Sequence, residues 1–233
     1  MKIKFIQRTT LVDFPGQIAC TIFNFGCPFR CGFCYNPELV LKEETPDLDE
    51  TKILNFLEKR KNQLTGVCFT GGEPLVDIDL ELLKKIKVLG FKIKIDTNGS
   101  FPDKLKEIID LGLVDYVAMD IKNSKENYLK TINVDLDLTK IERSMELVSS
   151  LQSYEFRTTI VEDLHSLEDL EKMFIWASEV IGKKIRTYSL QGFKNFGKFV
   201  DESYSEKTNT TFAFLEEVKK IAEKYCGEVV VKH

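Results

Sequence analysis

Three cysteines lie close together in the stretch 26–37, which reads GCPFRCGFCYNP. Cys27, Cys31 and Cys34 have the spacing C-x3-C-x2-C, and the proline and glycine between them favour a compact loop. Three thiolates from one short loop can bind three irons of a [4Fe–4S] cluster, which leaves the fourth iron without a protein ligand. The spacing therefore predicts a [4Fe–4S] site with one iron open to another ligand.

Two other kinds of cysteine site stay open at this point. A structural zinc ion usually takes four protein ligands, and no fourth cysteine or histidine lies near this loop at a usual spacing. A redox dithiol at Cys31 and Cys34 would leave Cys27 unexplained. The other cysteines are better interpreted as small buried apolar residues; they are Cys20, Cys68 and Cys226.

Short apolar, β-branched runs alternate along the chain with stretches of helical periodicity. Six strand-then-helix units favour a parallel sheet with right-handed crossovers. Because a closed eight-unit barrel takes about 250 residues, we predict an α/β fold, a partial (β/α)6 TIM-like barrel with outer helices, as one domain over residues 1–233. The predicted barrel strands are Ile18–Phe25, Gly66–Thr70, Phe91–Asp96, Val114–Asp120, Glu155–Val161 and Lys184–Leu190, with an N-terminal run at Lys2–Arg8 and a tail strand at Glu228–Lys232.

Two local features complete this outline. Asp49 is the expected N-cap of the helix that contains Ile53 and Leu57. The longest irregular stretch, Gln191–Lys207, predicts a surface loop. Its three phenylalanines are expected to pack down rather than dock a partner; they are Phe193, Phe196 and Phe199.

Glycines and polar residues follow several of the predicted strands at the point where each strand ends. In a β/α barrel the loops after the strands surround one mouth, so these residues are expected to converge there. Adjacent glycines allow backbone to approach a ligand closely, although the same residues also form ordinary turns, and charged residues at strand ends are often only solvated. The residues that we place at this mouth are Gly71, Gly72, Glu73, Asp96, Thr97, Asn98, Asp120, Lys122, Arg157 and Gln191.

The cysteine loop resembles the signature C-x3-C-x-(aromatic)-C of the radical S-adenosylmethionine (SAM) superfamily, with Phe33 as the aromatic residue. The stretch GGEP at 71–74 is similar to the GGE motif of the same family. The resemblance implies that the open iron chelates the methionine moiety of SAM and that Phe33 lies near the adenine. It implies that Gly71, Gly72 and Glu73 hold the amino group, and that SAM is cleaved reductively to a 5′-deoxyadenosyl radical.

Two further stretches, DTNG at 96–99 and MDIK at 119–122, resemble those of the activating enzymes of glycyl-radical enzymes. That resemblance implies a monovalent cation beside SAM, held by Asp96, Thr97 and Asp120. It also implies that Lys122 reaches the SAM carboxylate. The remaining cofactor contacts that the resemblance implies are Tyr35, Asn98, Arg157 and Gln191.

The stretch VDFPG at 12–16 resembles one branch of these activators, that of anaerobic ribonucleoside-triphosphate reductase. In other activators the corresponding stretch is D-G-P-G, and Phe14 stands here in place of its first glycine. The resemblance implies that Asp13 contacts the substrate. It implies that the partner is a glycyl radical enzyme, a class III ribonucleotide reductase, and that flavodoxin or ferredoxin supplies electrons.

Charge and hydropathy argue against several other kinds of function. The formal net charge of −4 gives no whole-chain basic footprint for nucleic acid. No stretch approaches the ~18–20 apolar residues of a membrane helix, and no apolar signal core follows the N-terminus, so we expect a cytoplasmic protein without a membrane partner. Two rival functions stay open. One is a radical SAM enzyme that acts on a small molecule, like 7-carboxy-7-deazaguanine synthase, and the other is a non-enzymatic zinc or redox module.

Overall fold

The computed structural model describes residues 1–41 and 46–232, and eight of its strands form one sheet. The strands follow one another across the sheet in the order of the sequence. The first two are antiparallel, and every later pair of neighbours is parallel. The strands are β1 Ile3–Thr10, β2 Ala19–Asn24, β3 Gly66–Gly71, β4 Lys92–Thr97, β5 Tyr116–Asp120, β6 Tyr154–Ile160, β7 Ile185–Gly192 and β8 Cys226–Lys232.

Helices connect the successive parallel strands, and neighbouring helices of this layer contact one another. Short 3₁₀ turns lie at Pro74–Val76 and Glu202–Glu206. The α-helices are α1 Pro37–Val40, α2 Glu50–Arg60, α3 Leu80–Val88, α4 Pro102–Asp110, α5 Tyr128–Ile132, α6 Thr139–Ser149, α7 Leu167–Ile181 and α8 Phe212–Ala222.

The predicted partial (β/α)6 barrel is confirmed. Six units begin at β2 to β7, and each predicted strand agrees with the observed one to within two residues at either end. The tail strand lies in β8, which pairs parallel to β7 and extends the sheet. In the part of the chain that the structure describes, β1 and β8 do not pair with each other, so the sheet stays open on that side.

The core lies between the sheet and the helix layer. In β3, Val67, Cys68 and Phe69 are wholly buried, as expected for a parallel strand that is covered on both faces. Cys20 and Cys226 are buried as well, which confirms that the cysteines outside the C-x3-C-x2-C loop are packing residues. The sheet and its helices therefore form the frame, and the loops at the strand ends are left to form the site.

The local predictions have mixed outcomes. Asp49 caps α2 as expected, and its carboxylate accepts a hydrogen bond from the backbone N–H of Thr51 at 2.7 Å. The stretch 191–207 is less irregular than predicted, because β7 extends to Gly192 and a 3₁₀ turn forms at Glu202–Glu206. Phe193 and Phe199 are buried as predicted, whereas Phe196 is 63% exposed, so that part of the prediction is wrong. Within the described residues, no helix has the length and apolar character needed to cross a membrane.

Candidate active site

The cysteine loop follows the end of β2, and its three thiols face one cavity of ≈ 400 Å³. Arg30 fixes the loop from inside, since its guanidinium donates to the carbonyl oxygens of Cys27 at 2.6 Å and Phe29 at 2.8 Å. The loop closes with a hydrogen bond from the N–H of Cys34 to the carbonyl of Cys31 at 3.1 Å. The spacing in the sequence thus becomes a tight loop that presents three sulfur atoms to one space.

Burial dominates the electrostatics of these thiols. Burial raises the pKa of the Cys27 thiol to about 12 and that of Cys31 to about 11. A free thiol is therefore protonated at neutral pH, and a bound iron has to displace the proton. No other cysteine of the described chain lines the cavity, which fits a [4Fe–4S] cluster with three protein ligands better than a four-ligand zinc site.

A segment from beyond β7, residues 199–204, covers the cysteine loop from the outside. The N–H of Val200 donates to the carbonyl of Cys34 at 2.9 Å, and the N–H of Asp201 donates to that of Gly32 at 3.1 Å. The Tyr204 ring lies so close that a Cβ on Gly32 would come within 2.6 Å of it. Sequence reasoning missed this cover, because it joins parts of the chain that are far apart in sequence.

The glycine pair after β3 is bonded directly to the cysteine loop. Gly72 donates to the carbonyl of Asn24 at 2.8 Å, and the N–H of Glu73 donates to that of Gly26 at 2.7 Å. Gly71 has φ +109°, and a Cβ there would lie 2.6 Å from backbone atoms of Asn24. Both glycines line the cavity, so the backbone of this pair forms part of its wall.

Glu73 is wholly buried and lies behind the cavity wall rather than on it. Its carboxylate accepts hydrogen bonds from the N–H of Leu75 at 3.1 Å, the hydroxyl of Thr97 at 2.8 Å and the N–H of Asn98 at 2.6 Å. Burial raises its pKa to about 7 despite these donors. The geometry makes Glu73 a link between the loops after β3 and β4, and its contact with SAM stays a prediction.

A row of alternating charges crosses the ends of β4, β5 and β6. The Arg157 guanidinium lies 3.0 Å from Asp96 through Nη1 and 2.8 Å from Asp120 through Nε. Lys94 pairs with the other oxygen of Asp96, and Lys122 lies 2.9 Å from the other oxygen of Asp120. Burial alone would raise the pKa of Asp120, but Arg157 and Lys122 hold it at about 2.

This arrangement bears on the expected monovalent cation at Asp96, Thr97 and Asp120, which stays a prediction. Both oxygens of each carboxylate already contact a cationic side chain. The Thr97 hydroxyl donates to Glu73 and not to the space between the carboxylates. In this structure Arg157 and the two lysines supply the counter-charge of both carboxylates.

The strand-end residues converge as the β/α topology requires. Thr21 and Phe23 also line the cavity, and their i, i+2 spacing on β2 is the signal that could have identified them. Thr70 and Thr159 were missed as well. Of the residues predicted to form the site, all except Glu73 line this one cavity: Asp13, Cys27, Cys31, Phe33, Cys34, Tyr35, Gly71, Gly72, Asp96, Thr97, Asn98, Asp120, Lys122, Arg157 and Gln191.

A partial β/α barrel with three cysteines and a glycine pair at its mouth has the architecture of radical SAM enzymes. The family profile described as "Radical SAM superfamily" matches residues 21–176, which is more than half of the chain. The chain therefore belongs to the radical SAM superfamily. It is an enzyme of the class that uses a [4Fe–4S] cluster and SAM.

Individual relatives narrow the comparison. The chain is 29% identical over 234 residues to a Methanocaldococcus jannaschii protein that bears the name "Putative glycyl-radical enzyme activating enzyme", with 97% of this chain and 94% of that one covered. It is 34% identical over 137 residues to the pyruvate formate-lyase-activating enzyme of Clostridium pasteurianum, with 56% of each covered. SuiB of Streptococcus suis bound to SAM superposes with a TM-score of 0.66 at 14% identity, over 91% of this chain and 52% of that one, a likeness that shows the fold alone.

Proposed function

We propose that this chain uses reductive cleavage of SAM to generate a glycyl radical on a partner enzyme, and that the partner is an anaerobic ribonucleoside-triphosphate reductase. The activating-enzyme names of its relatives support the first part. The stretch VDFPG with Asp13 supports the second, through its resemblance to one branch of activators. The observation that carries the proposal is the convergence of three thiols, a glycine pair and a charged row on one cavity.

In this proposal each part of the cavity wall has one task. Cys27, Cys31 and Cys34 hold the cluster, which when bound supplies the electron that cleaves SAM to methionine and a 5′-deoxyadenosyl radical. The backbone of Gly71 and Gly72 receives the α-amino group of SAM. Lys122 contacts the SAM carboxylate, and Phe33 lies near the adenine. The other proposed cofactor contacts are Tyr35, Asp96, Thr97, Asn98, Asp120, Arg157 and Gln191.

The open side of the sheet supports a protein substrate. The cavity extends from the cysteine loop to Gln7 and Asp13 beside β1, and β1 is one of the two edges between which the sheet stays open. A peptide segment needs such a lateral entrance, whereas a small molecule is usually held in an enclosed pocket. A glycine suits hydrogen abstraction there because it has no side chain to block access to its Cα hydrogen, which the 5′-deoxyadenosyl radical takes to become 5′-deoxyadenosine.

The electron source in this proposal is flavodoxin or ferredoxin. Cluster potentials reach strongly negative values, so the donor has to be a low-potential carrier. A cluster-loaded chain that cleaves SAM with reduced flavodoxin or ferredoxin as the only reductant would support this part of the proposal. Cleavage with dithionite, but with neither reduced flavodoxin nor reduced ferredoxin, would argue against it.

The experiment that tests the activity combines anaerobic reconstitution with a candidate reductase. The chain is loaded with iron and sulfide, reduced with dithionite and incubated with SAM and the reductase. We expect 5′-deoxyadenosine and a glycyl doublet in the EPR spectrum of the reductase, and no doublet from a reductase whose radical glycine is replaced by alanine. Formation of 5′-deoxyadenosine without a doublet on any candidate would favour the small-molecule rival. A colourless protein that does not turn over SAM would favour the zinc or redox module.

A further inference from the structure

The side-chain amide of Asn98 reaches one of the three cluster cysteines. Its Nδ2 lies 3.6 Å from Sγ of Cys27, within the range of an N–H···S hydrogen bond. Both residues line the same cavity, and Asn98 is only 6% exposed. The contact is partly buried in the cavity wall, where the lower local dielectric strengthens a hydrogen bond.

The hydrogen bonds around Asn98 determine which end of its amide faces the sulfur. Its Oδ1 accepts from the N–H of Ser100 at 3.0 Å and from the Ser100 hydroxyl at 2.6 Å. Exchanging oxygen and nitrogen would set an NH₂ group against that backbone N–H, so the NH₂ group has to point at Cys27. Glu73 holds the backbone of Asn98 through its N–H at 2.6 Å, which restricts the residue further.

We infer that Asn98 is a positioning residue that donates an N–H hydrogen bond to the Cys27 sulfur and thereby raises the reduction potential of the cluster. The inference rests on the proposed function, because it requires a cluster at Cys27. A donor withdraws electron density from a ligating sulfur, so it stabilises the reduced, more negatively charged form. Such partners of the ligands tune a metal centre without contacting the metal.

The test is the midpoint potential of the reconstituted cluster, measured by EPR during an anaerobic redox titration. Asn98→Ala removes the donor without adding charge, and we expect the reduced-to-oxidised ratio at a fixed potential to fall about tenfold, a shift of about 59 mV to lower potential for one electron. Asn98→Asp should shift it further, because it removes the donor and adds a negative charge. Asn209→Asp, at an exposed amide, adds the same charge elsewhere and should leave the potential unchanged.

A second variant keeps the test decisive if Asn98→Ala does not take up iron. Ser100→Ala keeps the amide but removes one of the two hydrogen bonds that orient it, and we expect a smaller shift in the same direction. Resonance Raman spectra of the variants should show higher Fe–S(Cys) stretching frequencies, because a hydrogen bond to the sulfur weakens the Fe–S bond. Unchanged potentials and stretching frequencies in a wild-type-like cluster would overturn the inference alone. A wild-type chain that binds no cluster would instead overturn the proposed function.

Discussion

Replacing Arg157 by alanine should remove the counter-charge from two buried carboxylates at once. The guanidinium has 12% side-chain exposure and bridges Asp96 and Asp120. After the substitution each carboxylate keeps only one lysine, Lys94 or Lys122. Asp96 and Asp120 would then repel each other in a poorly hydrated site, and the free energy of unfolding should fall.

The size of the effect follows from the burial of the pair. Removing one partner of a buried ion pair costs about 3–5 kcal/mol, and the two remaining lysines place this case near the lower end, at about 3 kcal/mol. For a chain of this length, 1 kcal/mol corresponds to about 2–4 °C in Tm, so we expect a decrease of about 6–12 °C at pH 7. The Tm of Arg157→Lys should lie between those of wild type and Arg157→Ala, because an ammonium group cannot bridge both carboxylates as a guanidinium does.

The pKa values of the two aspartates determine how the Tm difference between wild type and Arg157→Ala changes with pH. In the wild type, Arg157 and the lysines outweigh burial and lower the pKa of Asp120 to about 2, and they lower that of Asp96 as well. This stabilisation is fully present above the ordinary pKa of 3.8 and is lost as the pH falls from there towards 2. The difference in Tm between wild type and Arg157→Ala should therefore be large at pH 7 and clearly smaller at about pH 2.5.

Thermal unfolding of the anaerobically purified chains, followed by circular dichroism, measures the decrease in Tm at pH 7 and its dependence on pH. Potassium chloride and choline chloride should give the same wild-type Tm at equal ionic strength, because Asp96 and Asp120 are already neutralised. In Arg157→Ala, potassium should recover part of the loss. A variant within 2 °C of the wild type at pH 7, or wild-type SAM cleavage that requires potassium, would refute this account of the charged row.

Two further substitutions test the packing around the cysteine loop. Gly72→Ala would place a Cβ 2.2 Å from the carbonyl oxygen of Gly26, so iron uptake and Tm should both fall. Gly90→Ala, at φ +90° with nothing within 4 Å, should lower Tm through backbone strain but retain iron, and equal iron content in both would contradict the close approach. Tyr204→Ala should lower stability by about 2 kcal/mol, less than for a fully buried ring, and should speed the loss of the cluster's visible absorbance in air. Val88→Ala, at a side chain of α3 that is 86% exposed, is its control, and equal decay in the two variants would argue against a protective role for the cover.

The sequence was sufficient to predict convergence at the strand ends. In a parallel β/α sheet the carboxyl ends of all strands meet at one edge, so the positions of Asp96 near the end of β4 and of Asp120 at the end of β5 place both at the same mouth. The order of the strands follows from the alternation of strand and helix patterns in the same way. These features depend on local periodicity and topology, which a sequence expresses directly.

The orientation of individual side chains could not be predicted in the same way. Glu73 belongs to a motif that suggested a ligand contact, yet its carboxylate turns away from the cavity, because three donors in two loops converge on it. Arg157 bridges Asp96 and Asp120, which end two different strands, a contact that no local pattern indicates. Tyr204 packs against Phe33 of the cysteine loop, although the two residues are far apart in the sequence. Such contacts depend on tertiary packing and leave no periodic signal.

The most direct test of the central claim is the amount of iron and 5′-deoxyadenosine obtained with wild type and with Cys31→Ala after anaerobic reconstitution. The account predicts about four irons per wild-type chain and 5′-deoxyadenosine that forms with dithionite and SAM. It predicts that Cys31→Ala, which lacks one of the three ligands, forms none. Full 5′-deoxyadenosine formation by Cys31→Ala, or a wild-type chain without iron, would contradict the assignment of Cys27, Cys31 and Cys34 as cluster ligands.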